Sequence, residues 1–236
     1  MIYGTPAIQT NGLVMCLDAA NTKSYPKSGT VWSDLSGTNN KATLYNTPTY
    51  SSDSGGGLVF NGLNQYGLVS NVNSINPTVA VTVTSFFNVA SVGGNFAPII
   101  LKQNNYASFN EQYVLGAISS GIFLTITGVD RVQKSCFAAM NTINVNIHAV
   151  GTCDTVTDEM KLYINGVLIQ TLPFTSTFDI ANTPLQIGGT GVLDFGNIYQ
   201  AWLNGKIYTA QVYNRALSAQ EVSQNYNALK SRFNLN

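Results

Sequence analysis

The stretch Gly205-Lys-Ile-Tyr-Thr-Ala-Gln-Val-Tyr-Asn-Arg-Ala-Leu-Ser-Ala-Gln-Glu-Val222 decides how this chain is read. Its first half is a β-strand pattern that stops at Asn214-Arg215, and a short helix follows. Ser218 stands at the N-cap, and Glu221, three residues on, closes a capping box. Beyond it, Val222, Tyr226, Leu229 and Phe233 recur at three- and four-residue spacing and lay one apolar stripe against the rest of the molecule. A strand-rich chain that closes on one docked helix predicts an all-β sandwich with a short C-terminal helix.

Working back from that ending, alternation is the recurring signal. Leu13, Met15 and Leu17 interleave with Val14 and Cys16, which predicts a strand buried on both faces. Val79 to Phe87 is β-branched and then aromatic, a core strand. The segments 113–117 and 122–127 flank Ser119-Ser120-Gly121, a hairpin signal. Ile143, Val145, Ile147 and Ala149 share one face of a further strand, with Asn144, Asn146 and His148 on the other. Asn165-Gly166 is the strongest turn: both residues tolerate positive φ, so 160–164 is predicted to pair with 167–171. About a dozen strands in two packed antiparallel sheets follow. With no internal repeat or linker visible, the expectation is one domain over 1–236, with 1–11 an N-terminal arm and 218–233 the docked helix.

Composition narrows the function classes. Eleven basic and eleven acidic residues make up only 9% of the 236, so a cluster of positive charge for nucleic acid is missing from the sequence. No stretch reaches the ~20 apolar residues of a membrane-spanning helix. The abundant Asn, Thr and Ser supply polarity without charge, which suits sugar binding or dense packing among subunits. Cys16, Cys136 and Cys153 are odd in number and lack metal-site spacing, so they read as buried free thiols from a reducing compartment. The first residues show neither a basic region nor an apolar run, so no signal peptide is expected.

Several motifs, taken in order, resemble the concanavalin A-like jelly rolls in their laminin-G-like branch, found in phage and bacterial surface proteins. They are Gly12-Leu-Val-Met-Cys-Leu-Asp18, Trp32-Ser-Asp-Leu-Ser-Gly37, Gly57-Leu-Val-Phe-Asn-Gly-Leu-Asn-Gln-Tyr66, Ile147-His-Ala-Val150 and Lys161-Leu-Tyr-Ile-Asn-Gly-Val167, followed by the capped helix. The resemblance spans roughly residues 12 to 233. It departs from the family pattern where Ile147 stands near the usual Trp and where Asn61 replaces the common Asp. It implies a jelly roll of two antiparallel sheets, and it places Trp32 and His148 at packing positions.

The same family includes glucanases that carry two glutamates and an aspartate on one strand, since most glycoside hydrolysis needs paired carboxylates about 5–10 Å apart. This chain has three glutamates, Glu111, Glu159 and Glu221, with no such run and with Glu221 assigned to the helix cap, so no enzyme is expected. Candidate binding residues come from exposed aromatics beside amides: Asn104, Asn105 and Tyr106, and separately Asn197, Tyr199 and Trp202. Each group is read either as a glycan site or as cover over a sheet edge. The acidic run holding Asp154, Asp158 and Glu159 is read either as a solvated loop or as a calcium rim, because calcium collects oxygen ligands and related folds hold it at loops.

The resemblance, the free thiols and the missing export signal lead to a first expectation. It is a non-enzymatic virion structural protein of a bacteriophage, a capsid decoration, fibre or tail component. Such a protein is made in the host cytoplasm and partnered by other virion proteins or by itself. The alternative is a carbohydrate-binding adhesion module whose partner is a host surface polysaccharide.

Overall fold

The structure, a computed structural model, describes residues 7–93, 95–103, 111–191 and 201–235. Within them, strands form two antiparallel sheets. The first runs β14 (Val167–Pro173), β13 (Glu159–Ile164), β12 (Asn146–Asp154), β7 (Ala80–Gly93), β16 (Trp202–Tyr213), β5 (Gly57–Asn61) and β4 (Thr49–Ser51). The far edge of β16 is shared, with β5 on residues 204–207 and β1 (Leu13–Asp18) on 209–213. The second sheet runs β11 (Gln133–Ala139), β10 (Gly121–Thr127), β9 (Glu111–Ile118), β8 (Ala97–Gln103), β15 (Leu185–Ile187), β6 (Tyr66–Val69), β3 (Ala42–Tyr45) and β2 (Val31–Trp32).

One hydrophobic core fills the space between the sheets, and the two-residue period of each strand decides who enters it. On β12, Ile147, Ala149 and Cys153 point inward. A Cβ on Gly151 would meet Leu124 of the facing sheet at 2.5 Å, so any larger residue there would have to displace that side chain. The outward residues His148 and Val150 are buried as well, because the C-terminal segment covers them. β12 starts at Asn146, so Ile143 and Val145, expected on its inner face, fall in the preceding turn, where Asn144 takes φ 57°.

The covering segment is α1 (Ala219–Leu229), continued by a 3-10 turn at Lys230–Phe233. The capping box forms as its sequence requires: Glu221 N donates to Ser218 Oγ (3.3 Å) and Ser218 N donates to Glu221 Oε2 (2.9 Å). Arg215 adds a two-pronged ion pair to the same carboxylate (2.8 and 2.7 Å), and this pair holds the Glu221 carboxyl down to about 2. At the other end Arg232 grips both oxygens of Asp18 (3.2 and 3.0 Å). Between these clamps Val222 joins Val150, Tyr163, Tyr213 and Leu217, while Tyr226 and Phe233 close over Phe86 and Tyr208. Residues 7–9 lie along the helix, with Gln9 N donating to Asn225 Oδ1 (2.7 Å) and Tyr213 OH donating to Gln9 O (2.9 Å).

Two motif residues turn out to be structural. The Asp34 carboxylate accepts from Cys16 N (2.8 Å), Ser36 N (2.9 Å), Ser36 Oγ (2.7 Å) and Asn40 N (2.9 Å), tying the loop after β2 to β1. Burial acts to raise its carboxyl, but these hydrogen bonds more than offset burial and leave it below the usual value. Asn61 Oδ1 accepts from Leu63 N (2.9 Å) and Asn64 N (3.2 Å), a role that needs an acceptor oxygen and no charge, which is why asparagine serves where aspartate is common.

Candidate functional site: an aromatic row at the sheet rim

β3 and β6 pair so that Tyr45 lies opposite Tyr66. In β3 the odd positions 43 and 45 point away from the core, so both tyrosines emerge on the outer face. Their rings stack nearly parallel, with centroids 4.8 Å apart and planes at 4°. Trp202, the first residue of β16, stands beyond Tyr66 at 6.0 Å and 42°. Trp202 belongs to the other sheet and reaches this one through a bridge to Gly189. Close approach depends on glycine: a Cβ on Gly189 would run into the indole and one on Gly191 into the Tyr66 ring. Three aromatic side chains thus form a row across the rim where the sheets meet. Tyr45 remains 40% exposed.

Amides border this row. Gln65 Nε2 donates to Asn46 O and Thr47 O (2.8 Å each), and its Oε1 accepts from Asn61 N (2.9 Å). Asn46 Nδ2 donates to Asn64 O (2.6 Å), so the 46–48 loop and the 61–65 turn are stitched together beside the tyrosines. Asn46 and Thr47 both hold positive φ (57° and 55°), which fixes the backbone directly after Tyr45. Burial, and then the neighbouring Tyr45, raise the Tyr66 hydroxyl above its usual value, so it stays protonated at neutral pH. The row therefore offers π faces, amide donors and acceptors, and a neutral phenol. That is the chemistry of a surface that stacks and hydrogen-bonds an uncharged polar ring.

A laminin-G-type family profile, described as the concanavalin A-like lectin/glucanases superfamily, matches residues 60–223. The chain belongs to the concanavalin A-like lectin/glucanase superfamily. No curated protein matches it at the level of sequence. Solved structures similar to it include the binding domain of Paraclostridial Mosquitocidal Protein 1, with TM-score 0.70 and 16% identity, covering 93% of this chain and 52% of that one. Another is a structure of botulinum neurotoxin type C, whose cell entry is dependent upon interaction with two ganglioside molecules, with TM-score 0.71 and 14% identity, covering 93% and 52%. A third is the botulinum neurotoxin serotype D ligand binding domain in complex with N-acetylneuraminic acid, with TM-score 0.68 and 16% identity, covering 92% and 51%. At these identities the likeness shows the fold, and the chain spans about half the length of each of these relatives.

Within this lectin-like sandwich the sequence-predicted residues fare differently. Trp202 takes its place in the row; Asn104, Asn105, Tyr106, Asn197 and Tyr199 lie outside the described residues. Tyr45 and Tyr66 were not predicted as site residues. The outward parity of Ala42-Thr-Leu-Tyr45 is a signal for the first, but only the β3–β6 register brings the two rings together. Trp32 is fully buried in the core, as its motif implies.

The acidic run lies at the turn between β12 and β13. Asp154 and Glu159 face each other across β12 and β13, but Asp154 Oδ1 accepts from Val156 N (2.8 Å) and Glu159 pairs with Lys161 (2.5 Å). Asp158 is exposed in the turn at φ 55°. Among the described residues no three His, Cys, Asp or Glu side chains gather as a metal site. The three glutamates sit on β9, β13 and α1, and Glu111 is half-buried, accepting from Gln133 and from Thr127 (3.3 Å), with burial raising its carboxyl. His148 is sealed between Phe86 (4.2 Å) and Tyr226 (5.8 Å), with Nε2 on Thr84 Oγ1 (2.9 Å), so it faces no solvent.

Proposed function

We propose that this chain is a non-enzymatic glycan-recognition module whose sugar platform is Tyr45, Tyr66 and Trp202. The observation that carries the reading is the stacked row itself, with Tyr45 exposed and Tyr66 and Trp202 half-buried at a sheet rim, bordered by amides rather than by charge. A pyranose presents a C–H face to the rings and hydroxyls to the amides. The likeness to toxin binding domains supports recognition rather than catalysis, since those structures are receptor or ligand binding domains. The setting within this proposal is a bacteriophage particle, as decoration, fibre or tail component; that part rests on the laminin-G-like resemblance and on buried free cysteines.

The test is a glycan array on the wild-type protein and on Tyr45→Ala, Tyr66→Ala and Trp202→Ala, with calcium and with chelator. Binding that each substitution weakens by about tenfold or more supports the platform. Binding that survives all three removes the row from the reading, and the absence of any bound glycan removes the function. Loss on chelation alone would bring Asp154, Asp158 and Glu159 back as ligands.

An assembly role has one observation of its own. The edge strand β14 exposes Val167, Leu168 and Ile169 in succession (62%, 46% and 48%), a surface that a subunit neighbour would cover.

A further inference from the structure

A groove of about 610 Å3 opens between the segment after β6 and the segment before β15, with Asn214 at the end of β16 beside it. That volume lies within the roughly 300–1,000 Å3 of small-molecule clefts. The aromatic row uses none of it. Among the described residues its lining holds five asparagines, two hydroxyl residues and the apolar Pro77, Val79 and Ile180, and no ionisable side chain.

The groove is held by buried polar groups that tie its walls together. Lys102, fully buried on β8, donates from Nζ to Asn71 Oδ1 and Ala181 O (2.8 Å each) and to Thr183 O. Gln112, also fully buried, donates to Pro77 O (3.3 Å) and accepts from Ala181 N (3.1 Å). Tyr113 OH fixes Ile75 O (2.8 Å). The amides themselves are oriented: Asn76 Nδ2 donates to Asn71 Oδ1 (2.8 Å), and Asn71 Nδ2 donates to Asn182 Oδ1 (2.7 Å). Asn76 Oδ1 is left buried with no partner.

This chemistry selects its ligand by elimination. A divalent cation wants carboxylates, and the lining has none. An anion wants an ammonium or guanidinium, and the three protons of Lys102 are already spent on oxygens of the frame. What remains is a neutral ligand dense in hydroxyls. We propose that this groove is a second saccharide site, one that takes an uncharged oligosaccharide through its amides and hydroxyls and packs the sugar C–H face on Val79 and Ile180. The site is separate from the aromatic row. Trp202 begins β16 and Asn214 follows its end, twelve residues on, about 40 Å of extended chain. Along β6 the separation is shorter, since Tyr66 and Asn71 are five residues and at most about 17 Å of extended chain apart, but the two sites share no residue, so one can fail without the other.

The test is a titration of isotope-labelled protein followed by NMR. The neutral probes are lactose, maltotriose, mannotriose and chitotriose, and sialyllactose is the charged control. The expected result is saturable shifts of the Asn71, Asn76 and Asn182 side-chain amides with at least one neutral probe, retained in Tyr66→Ala. Thr78→Arg, a blocking change at an exposed position of the groove, should weaken that response at least about tenfold and leave any response at Tyr45, Tyr66 and Trp202 intact. Shifts confined to the aromatic row, no shift in the groove with any neutral probe at millimolar concentration, or an equal response to sialyllactose would each overturn the proposal.

Discussion

His148 and Lys102 are each the only buried residue of their type among the described residues, and both make stability rise with pH, in two separate windows. Burial pushes the His148 imidazole down to about 3, while an unfolded histidine titrates at 6.5. The unfolded chain therefore binds a proton that the folded chain refuses. Stability present above pH 6.5 should fall as pH drops toward 3, by roughly 1.4 kcal/mol per unit at most. Urea unfolding of His148→Gln against wild type between pH 4 and 7 checks this: the variant should lose most of the slope, and an unchanged slope would assign acid sensitivity elsewhere. Burial likewise lowers the Lys102 ammonium to about 7 from 10.5. Here too the unfolded state holds more protons, so stability should rise with pH above 7. The rise is opposed once unfolded cysteines begin to ionise near 9, because burial holds Cys16 near 12 and Cys136 near 11 in the folded chain. A stability maximum near pH 8 to 9 follows, and Lys102→Met should flatten its neutral-side limb in the same measurement.

At the scale of the element, the C-terminal helix and the β14 edge make opposite demands. α1 must stay docked, because Phe86, His148 and Tyr208 would otherwise open to water. Its N-cap is legible in the sequence, and Ser218→Ala should cost about 1 kcal/mol in chemical denaturation. The Arg215 and Arg232 clamps are less legible, since Arg232 reaches Asp18 across 214 residues of sequence. The Asn165-Gly166 turn is announced by its residues and realised with φ 50° and 79°. Its packing is not announced: a Cβ on Gly166 would sit 3.0 Å from the Tyr226 ring. Gly166→Ala therefore combines left-handed strain with a contact on the helix and should destabilise by about 1–2 kcal/mol, more than in an open hairpin. β14, by contrast, presents an apolar edge. If that edge joins copies of the chain, Ile169→Lys should shift sedimentation toward the monomer at high concentration and leave thermal stability nearly unchanged; an unaltered profile would leave the edge without that role.

At the scale of the whole molecule, local chemistry determined the strand repertoire, the capped helix, the burial of Trp32 and the scarcity of charge. These are written in two-residue alternation, in turn residues and in a four-residue cap, all of which act between near neighbours. Trp202 could be suspected from sequence because an aromatic opening a strand is visible there. What only the tertiary structure decided is which distant residues meet. Tyr45 and Tyr66 stack because β3 and β6 pair in one register, and a shift by one residue would turn either ring into the core. Trp202 joins them because two different sheets converge at Gly189. The amide groove exists because Lys102, unremarkable in sequence, donates to the Ala181 carbonyl 79 residues away, and Gln112 accepts from the Ala181 amide 69 residues away. The three carboxylates of the acidic run are close in sequence, and strand pairing sets Asp154 opposite Glu159 while Glu159 also pairs with Lys161. Periodicity settles the face on which a side chain emerges, and register together with sheet-on-sheet packing settles what it meets there.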